Sequence, residues 1–150
     1  GTYPMKEAPR LLKMAQEFNY EMVMGSRLMQ AHPEAFRRFH FFGNRLFTRL
    51  TGILFHYPVR DLLTGFRVFS RRFAREMNLL SKGFEIETEI TIRAIEQNLP
   101  FTEIDIPYTE RVAGSSSKLK TFRDGFRISK TIVRFWMYFH PLTFFSTMTV

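Results

Sequence analysis

Segments with helical periodicity alternate with segments of strand periodicity along this chain, and this order limits the fold more than any other feature. Apolar residues recur at helical spacing from Pro9 to Phe18 and from Phe36 to Phe55, and a shorter helix is predicted from Arg71 to Leu79. Residues 84–97 alternate as a strand would, but they continue for 14 residues without Gly or Pro. That length favours a helix.

Three short segments have the two-residue period of strands. They are Tyr20–Met24, which ends at Gly25, then Phe66–Phe69, which follows a predicted turn over Asp61–Gly65, and Phe101–Ile106. The order helix, strand, helix, strand, helices, strand, helix predicts an α/β fold with crossover helices. Because three strands are few for a sheet covered on both faces, we expect part of the sheet to lie outside this chain.

Composition sets the scale and excludes several classes of protein. A chain of 150 residues, 45% of them hydrophobic, can form one domain with its own core and is not predominantly disordered. Cysteine is absent, which excludes a disulfide scaffold, thiolate zinc sites and a cysteine nucleophile. The chain begins without Met and ends where hydrophobicity rises, so we expect it to be a piece of a longer protein.

Positive charge is concentrated near the carboxyl end. The formal net charge is +8, and Arg111 to Arg134 contains seven Lys or Arg but a single acid, Asp124. A spacing of three and four residues would place five of these cations on one helix face: Lys120, Arg123, Arg127, Lys130 and Arg134. A charge of this sign attracts phosphate on nucleic acid, lipid or nucleotide.

Aromatic residues next to the cationic stripe favour a lipid surface over nucleic acid. Phe135, Trp136, Tyr138 and Phe139 follow the stripe and resemble an interfacial belt, so an anionic membrane surface is the predicted partner. No nucleic-acid recognition motif is present, and a solvated face of a surface helix is the simpler alternative. The apolar run up to Val150 is shorter than the roughly 20 residues that span a bilayer, so any spanning helix would lie mostly beyond it.

Several short motifs occur in a fixed order along the chain. They are Gly25-Ser26-Arg27, Gly43-Asn44, Asp61-Leu62-Leu63-Thr64-Gly65-Phe66-Arg67, Gly83-Phe84-Glu85-Ile86-Glu87, and Tyr108-Thr109-Glu110-Arg111 followed by Gly114 and Ser117-Lys118-Leu119. Together they resemble the family-2 inverting glycosyltransferases of the GT-A fold. The closest resemblance is to the dolichyl-phosphate mannosyltransferase-like and bacterial polyprenyl-phosphate glycosyltransferase branch.

The resemblance implies a domain organisation. Residues 1–118 would form the C-terminal part of a GT-A domain, and residues 119–150 an amphipathic juxtamembrane helix with the start of a possible membrane segment. The opening Gly1-Thr2-Tyr3-Pro4 is similar to the residues that follow the family's Asp-x-Asp. The nucleotide-binding strands and the ligands of a divalent cation, Mg²⁺ or Mn²⁺, are therefore expected only in the full-length protein, and this piece alone is expected to be inactive.

The same resemblance assigns substrate-binding roles to basic and polar residues. Arg111, Ser117 and Lys118 would belong to a loop that closes over the donor diphosphate, and the Gly/Ser-rich segment 112–118 suits a mobile hinge. Arg27 would contact a phosphate of donor or acceptor, with a surface ion pair as the alternative. The acceptor phosphate would be bound from the long helix by one or more of Arg37, Arg38 and Arg45.

Asp61 would be the catalytic carboxylate near the anomeric carbon. Asn44 matches a family position, although helix packing alone would explain it, and Arg67 with Phe66 would shape the acceptor pocket. Glu85 and Glu87 are alternative carboxylates, for which a charged helix face is the simpler interpretation. The four histidines have no metal-ligand spacing, and we assign no metal ligand within this chain.

The predicted activity is transfer of a hexose, with inversion, from a nucleotide-diphosphate sugar to a polyprenyl phosphate at the cytoplasmic face of a membrane. A lipid phosphate, with a second pKa of about 6, needs little help from a base, so Asp61 would position or polarise it. A hydroxyl acceptor would need a general base. Transfer to a hydroxyl of a glycan or glycolipid and a non-catalytic membrane-binding module are the alternatives.

Overall fold

The computed structural model describes residues 5–27, 38–107 and 121–148, without the side chains of residues 38–41 and 121. A short 3-10 turn, Met5–Glu7, precedes nine elements. In chain order these are α1 (Ala8–Glu17), β1 (Met22–Ser26), α2 (Arg38–Leu54), β2 (Arg67–Phe69), α3 (Arg71–Glu76), α4 (Ile86–Glu96), β3 (Phe101–Asp105), α5 (Thr121–Phe139) and α6 (Pro141–Met148). The predicted loops at 28–35 and 112–118 lie outside the described residues.

The predicted α/β class and the order of the described elements are confirmed. The segment with two possible periodicities is helical at Ile86–Glu96, as its length indicated. The helix predicted over Arg71–Leu79 ends at Glu76 instead, because the backbone of Met77 is already extended. Its amino end is capped as expected for a serine, since the Ser70 side chain accepts a hydrogen bond from the Phe73 amide.

The three described strands form one mixed sheet in the order β2-β1-β3. β1 is antiparallel to β2 and parallel to β3, with Met22 opposite Phe101 and Ser26 opposite Asp105. The carboxyl ends of β1 and β3 therefore meet at one edge, which we call the carboxyl edge. Ligands gather at this edge in open α/β sheets.

The two faces of β1 pack into different clusters because its side chains alternate. Met22 and Met24 join the larger cluster with residues of α4 and α5, whereas Val23 packs against Leu11 of α1 on the other face. Gly25 lies on the α1 side, where a Cβ would come within 2.7 Å of the Ile106 side chain and 2.9 Å of the Phe66 side chain. The close approach of these two side chains therefore requires glycine at this position.

Helix α5 has one buried face and a broad exposed one. Ile128, Ile132 and Phe135 are buried in the larger cluster. Four of the predicted stripe cations are exposed, and Lys120 lies outside the described residues. Phe122 and Phe126 are also exposed, at 94% and 71%. Within the three described ranges, no helix has the length and apolar character that crossing a bilayer requires.

Candidate functional site at the carboxyl edge of the sheet

The centre of the candidate site is an ion pair between Arg27 and Asp61. Arg27 follows β1 directly, and Asp61 opens the turn that precedes β2. The Arg27 Nε donates to Asp61 Oδ2 at 2.9 Å, Nη2 donates to Oδ1 at 3.0 Å, and the Arg27 backbone amide donates to Oδ2 at 3.1 Å. The fork geometry fixes the guanidinium plane relative to the carboxylate.

Helix α2 completes the environment of Asp61. Asn44 is 3% exposed, and its Nδ2 donates to Asp61 Oδ1 at 2.9 Å. Thr48, one turn further along α2, accepts a hydrogen bond from the Leu62 amide at 3.1 Å and contacts Asn44 Oδ1 at 3.4 Å. The polar side of α2 therefore fixes both the carboxylate and the start of the turn.

Asp61 is fully buried, and its two oxygens together accept four hydrogen bonds. Burial alone would raise the pKa of this carboxyl, but the hydrogen bonds and charge of Arg27, assisted by Asn44, outweigh burial and hold the pKa below its usual value. An enclosed carboxylate of this kind is a poor proton acceptor. What it can do chemically is hold a cation in place.

Glu103 of β3 holds the backbone of the same turn. Its Oε1 accepts the Arg60 amide at 2.8 Å, and its Oε2 accepts the Asp61 amide at 3.0 Å. The Arg60 side chain pairs with Asp105 at 3.2 Å. Burial raises the pKa of Glu103 above its usual value, against the opposing effect of the two amide bonds.

Arg67 supports the turn from its other end. Its Nε donates to the Thr64 carbonyl at 2.8 Å, and its Nη2 donates to the Leu62 carbonyl at 2.9 Å. Its Nη1 donates to Thr91 Oγ1 of α4 at 3.0 Å. Thr64 in turn donates to the Gly25 carbonyl at 2.6 Å, so the turn is anchored to β1 as well as to α4.

The amino end of α4 brings two more carboxylates to the carboxyl edge. The helix leads through a short loop into β3, so it runs antiparallel to that strand and begins at this edge. Glu85 and Glu87 are half-buried, and each has one enclosed oxygen without a hydrogen-bond partner among the described residues. Burial raises the pKa of Glu87, against the nearby charges of Arg67 and Arg27. Both carboxylates are therefore only partly solvated, and their role in the site stays a prediction beside the simpler interpretation of a charged helix face.

The structure thus brings Arg27, Asn44, Asp61 and Arg67 together around one turn. Arg45 is exposed, and it projects about 100° around α2 from Asn44. Three predicted residues, Arg111, Ser117 and Lys118, lie outside the described residues, as do Arg37 and the side chain of Arg38. The substrate contacts assigned to all of these residues stay predictions.

Sequence reasoning missed Glu103 and Thr48. Both act on backbone amides that are distant along the chain, at separations of 42 and 14 residues. The signal for Glu103 in the sequence was a charged side chain within the predicted strand Phe101–Ile106. The alternation of polar and apolar residues in that strand explained the side chain without any role in the site.

The divalent cation implied by the resemblance has no set of ligands among the described residues. Within residues 5–27, 38–107 and 121–148, no group of three or more His, Asp or Glu side chains converges as a metal site requires. The Asp61 oxygens are instead occupied by Arg27 and Asn44. The cation stays a prediction for the full-length protein.

Known proteins similar to this chain include named glycosyltransferases. The chain is 32% identical over 148 residues to glycosyltransferase AglJ and 31% identical over 133 residues to a dolichyl-phosphate hexose transferase, both from Haloferax volcanii. These alignments cover 99% and 89% of the chain but 48% and 56% of the relatives. An uncharacterised protein of Shigella flexneri is 49% identical over 89 residues, which are 59% of the chain and 55% of that protein.

No protein-family profile matches the chain. The chain spans about half the length of the curated relatives it matches. The named relatives support a relationship to glycosyltransferases.

Proposed function

We propose that the full-length protein transfers a hexose, with inversion, from a nucleotide-diphosphate sugar to a polyprenyl phosphate at a membrane surface. One relative is named a dolichyl-phosphate hexose transferase, which agrees with an acceptor of this class. Residues 1–118 would supply the acceptor side of a GT-A domain. The donor nucleotide would be bound mainly by segments that this chain does not contain.

The observation that carries the proposal is the saturated carboxylate of Asp61. A hydroxyl acceptor must lose a proton as it attacks, and the base must reach that proton. Asp61 is fully buried, accepts four hydrogen bonds and has a lowered pKa, so it is poorly suited to remove a proton. A phosphate acceptor, with a second pKa of about 6, is already largely dianionic at neutral pH and needs no such base.

The reaction then balances without a proton transfer. An ionised phosphate oxygen of the acceptor attacks the anomeric carbon of the sugar from the side opposite the leaving group. The bond between that carbon and the donor's diphosphate oxygen breaks, and the nucleoside diphosphate departs with the electron pair. The configuration at the anomeric carbon is inverted, and the product is a sugar joined to the lipid through a phosphodiester.

In this proposal Arg27 and Asp61 have different roles. Arg27 lies at the end of β1 with 13% of its side chain exposed, and we assign it the contact with a substrate phosphate. Asp61 holds the guanidinium in one orientation before substrate arrives, which reduces the ordering that binding requires. A phosphate at Arg27 would also benefit from the Asn44–Asp61 bond, which keeps the carboxylate turned towards Arg27.

The membrane surface is proposed as the partner of α5. The exposed cations of α5, Arg123, Arg127, Lys130 and Arg134, share the helix with exposed aromatic residues, among them Phe122 and Phe126. Aromatic side chains next to Lys and Arg suit the boundary between anionic headgroups and acyl chains. A lipid-linked acceptor would meet the enzyme at this boundary, on the cytoplasmic face in our proposal.

A panel of nucleotide sugars tested with the full-length protein and undecaprenyl or dolichyl phosphate decides the proposal. We expect one hexose donor to give a lipid product whose mass is that of the acceptor plus one hexosyl unit. We expect Arg27→Gln to lower the turnover strongly. Arg45→Gln removes the same charge from the exposed side of α2, and it tests separately one of the three arginines predicted to bind the acceptor phosphate. If a thermal unfolding assay shows that the protein is folded, the absence of a lipid product with every donor would contradict the proposal.

A further inference from the structure

We propose that Glu103 is a positioning residue for the Arg27–Asp61 pair: its carboxylate fixes the turn from which Asp61 projects and so keeps the pair aligned for the transfer reaction. The consequence for turnover rests on the proposed function. The hold of Glu103 on the turn does not.

The geometry that carries the inference is a two-point contact. The Glu103 oxygens accept the amides of two consecutive residues, Arg60 and Asp61, at 2.8 and 3.0 Å. One amide belongs to the residue whose side chain binds Arg27. A contact through two hydrogen bonds cannot rotate about a single bond. The two amides therefore fix the orientation of the backbone that carries the Asp61 side chain.

The contact also links the site to the sheet. Glu103 lies opposite Met24 in the parallel register, three residues before Arg27 along β1. The cation of the pair, Arg27, therefore comes directly after β1. The neighbouring strand β3 provides Glu103, which holds the turn that carries Asp61. A shift of the turn by about 1 Å would break the paired bonds between Arg27 and Asp61, whose lengths are 2.9 and 3.0 Å.

The charge of Glu103 alone does not explain its placement. A second carboxylate beside Asp61 repels it, and this repulsion is one cause of the raised pKa of Glu103. A carboxylate placed only for its charge would disfavour the ionised form of Asp61. Placement for its reach, by contrast, explains both amide bonds.

Two variants separate reach from charge. Glu103→Gln keeps the length but replaces one acceptor with a donor that opposes an amide N–H, whereas Glu103→Asp keeps the charge but loses one methylene of reach. We expect both to lower kcat at least tenfold in the full-length protein, with the donor KM changed less than twofold. Full activity in Glu103→Asp with loss only in Glu103→Gln would overturn the positioning role.

Asp105→Asn is the matched control on the same strand. It removes the ion pair with the Arg60 side chain but leaves both amide bonds of the turn in place. We expect its kcat to stay within twofold of the parent. An equal loss in this variant would assign the effect to general loosening of β3 and would overturn the inference.

Two further measurements separate a positioning role from other causes of lost turnover, and the first of them needs no turnover. Hydrogen exchange by mass spectrometry should show the Arg60 and Asp61 amides exchanging at least tenfold faster in Glu103→Asp than in Asp105→Asn, and equal rates would overturn the inference whether or not sugar is transferred. On an Asp61→Asn background, Glu103→Gln should cause little further loss of kcat, whereas additive losses would show that Glu103 acts independently of Asp61.

Discussion

Asp61 is the residue on which the proposed chemistry depends most. Its side chain is buried and accepts two hydrogen bonds from the Arg27 guanidinium and one from Asn44. Removing the charge from one member of a buried pair leaves the other buried without compensation. The residue is therefore important for folding as well as for the proposed reaction, and the two roles can be separated by pH.

We expect Asp61→Asn to reduce the free energy of unfolding by about 3–5 kcal/mol at pH 7. The pKa of Asp61 is lowered in the folded state, so its stabilising effect is present above about pH 4, the unfolded value, and is lost as the pH falls through the folded value. The difference between parent and variant should shrink as the pH is lowered. Urea unfolding across that range measures it, with the half-exposed pair variant Asp105→Asn, expected within about 1 kcal/mol, as the control. A pH-independent difference would contradict this account of Asp61.

Glu87 should show the opposite sign. Burial raises its pKa in the folded state, so its favourable contribution is present below about pH 4 and is lost as the pH rises through the folded value. We expect Glu87→Gln to melt at a higher temperature than the parent at pH 7.5 and at nearly the same temperature near pH 4. Glu76→Gln, on the exposed end of α3, is the control and should show no such trend. A lower melting temperature for Glu87→Gln at pH 7.5 would show that its ionised form is stabilised.

At the scale of elements, the turn between α2 and β2 is held by its neighbours more than by its own sequence. Thr48 of α2, Glu103 of β3 and Thr91 of α4 each bind it or bind Arg67, which supports it. Residues of three elements thus meet around one short segment. Small changes in packing should therefore affect the site even where no polar residue is altered.

Gly25→Ala tests the packing of β1 beneath the site. The new methyl group would meet the Ile106 and Phe66 side chains at 2.7 and 2.9 Å, so we expect a loss of about 1–3 kcal/mol in the free energy of unfolding. Gly43→Ala is the matched control, because its methyl group would meet only the Phe47 ring at 4.0 Å. That change lies inside α2 and should stabilise the protein by up to about 1 kcal/mol. Equal effects of the two substitutions on denaturant unfolding would contradict the packing of β1 described above.

Helix α5 allows a direct test of the proposed membrane contact. Replacing Arg123, Arg127, Lys130 and Arg134 with Gln should weaken binding to anionic vesicles at least tenfold, since each basic residue near such a surface contributes about 1 kcal/mol. The control replaces the same number of exposed cations on other elements: Lys6, Lys13, Arg71 and Arg75. Sedimentation with phosphatidylserine and phosphatidylcholine vesicles measures both. Equal loss in the two variants, or equal binding to both vesicle types before mutation, would contradict a specific role for α5.

Across the whole molecule, the sequence predicted the elements better than their contacts. Short motifs were enough to select the four residues that meet around the turn, because each motif lies next to a glycine, a strand end or a helix. These residues are Arg27, Asn44, Asp61 and Arg67. The clamp from Glu103 depends instead on β3 lying beside β1 in parallel register, which only the folded chain provides. The division of the α5 apolar residues into buried Ile128 and Ile132 and exposed Phe122 and Phe126 likewise depends on which neighbours cover the helix.

In our proposal the carboxyl edge binds a substrate phosphate, α5 contacts a lipid surface, and the two serve one reaction. The most direct test compares two acceptors that differ only in the terminal group, a polyprenyl phosphate and the corresponding polyprenol, with the same nucleotide sugar and the full-length protein. We expect sugar transfer to the phosphate and none above background to the alcohol. Transfer to the alcohol at a comparable rate would contradict the proposal, because the enclosed Asp61 could not then be the carboxylate at the reacting centre.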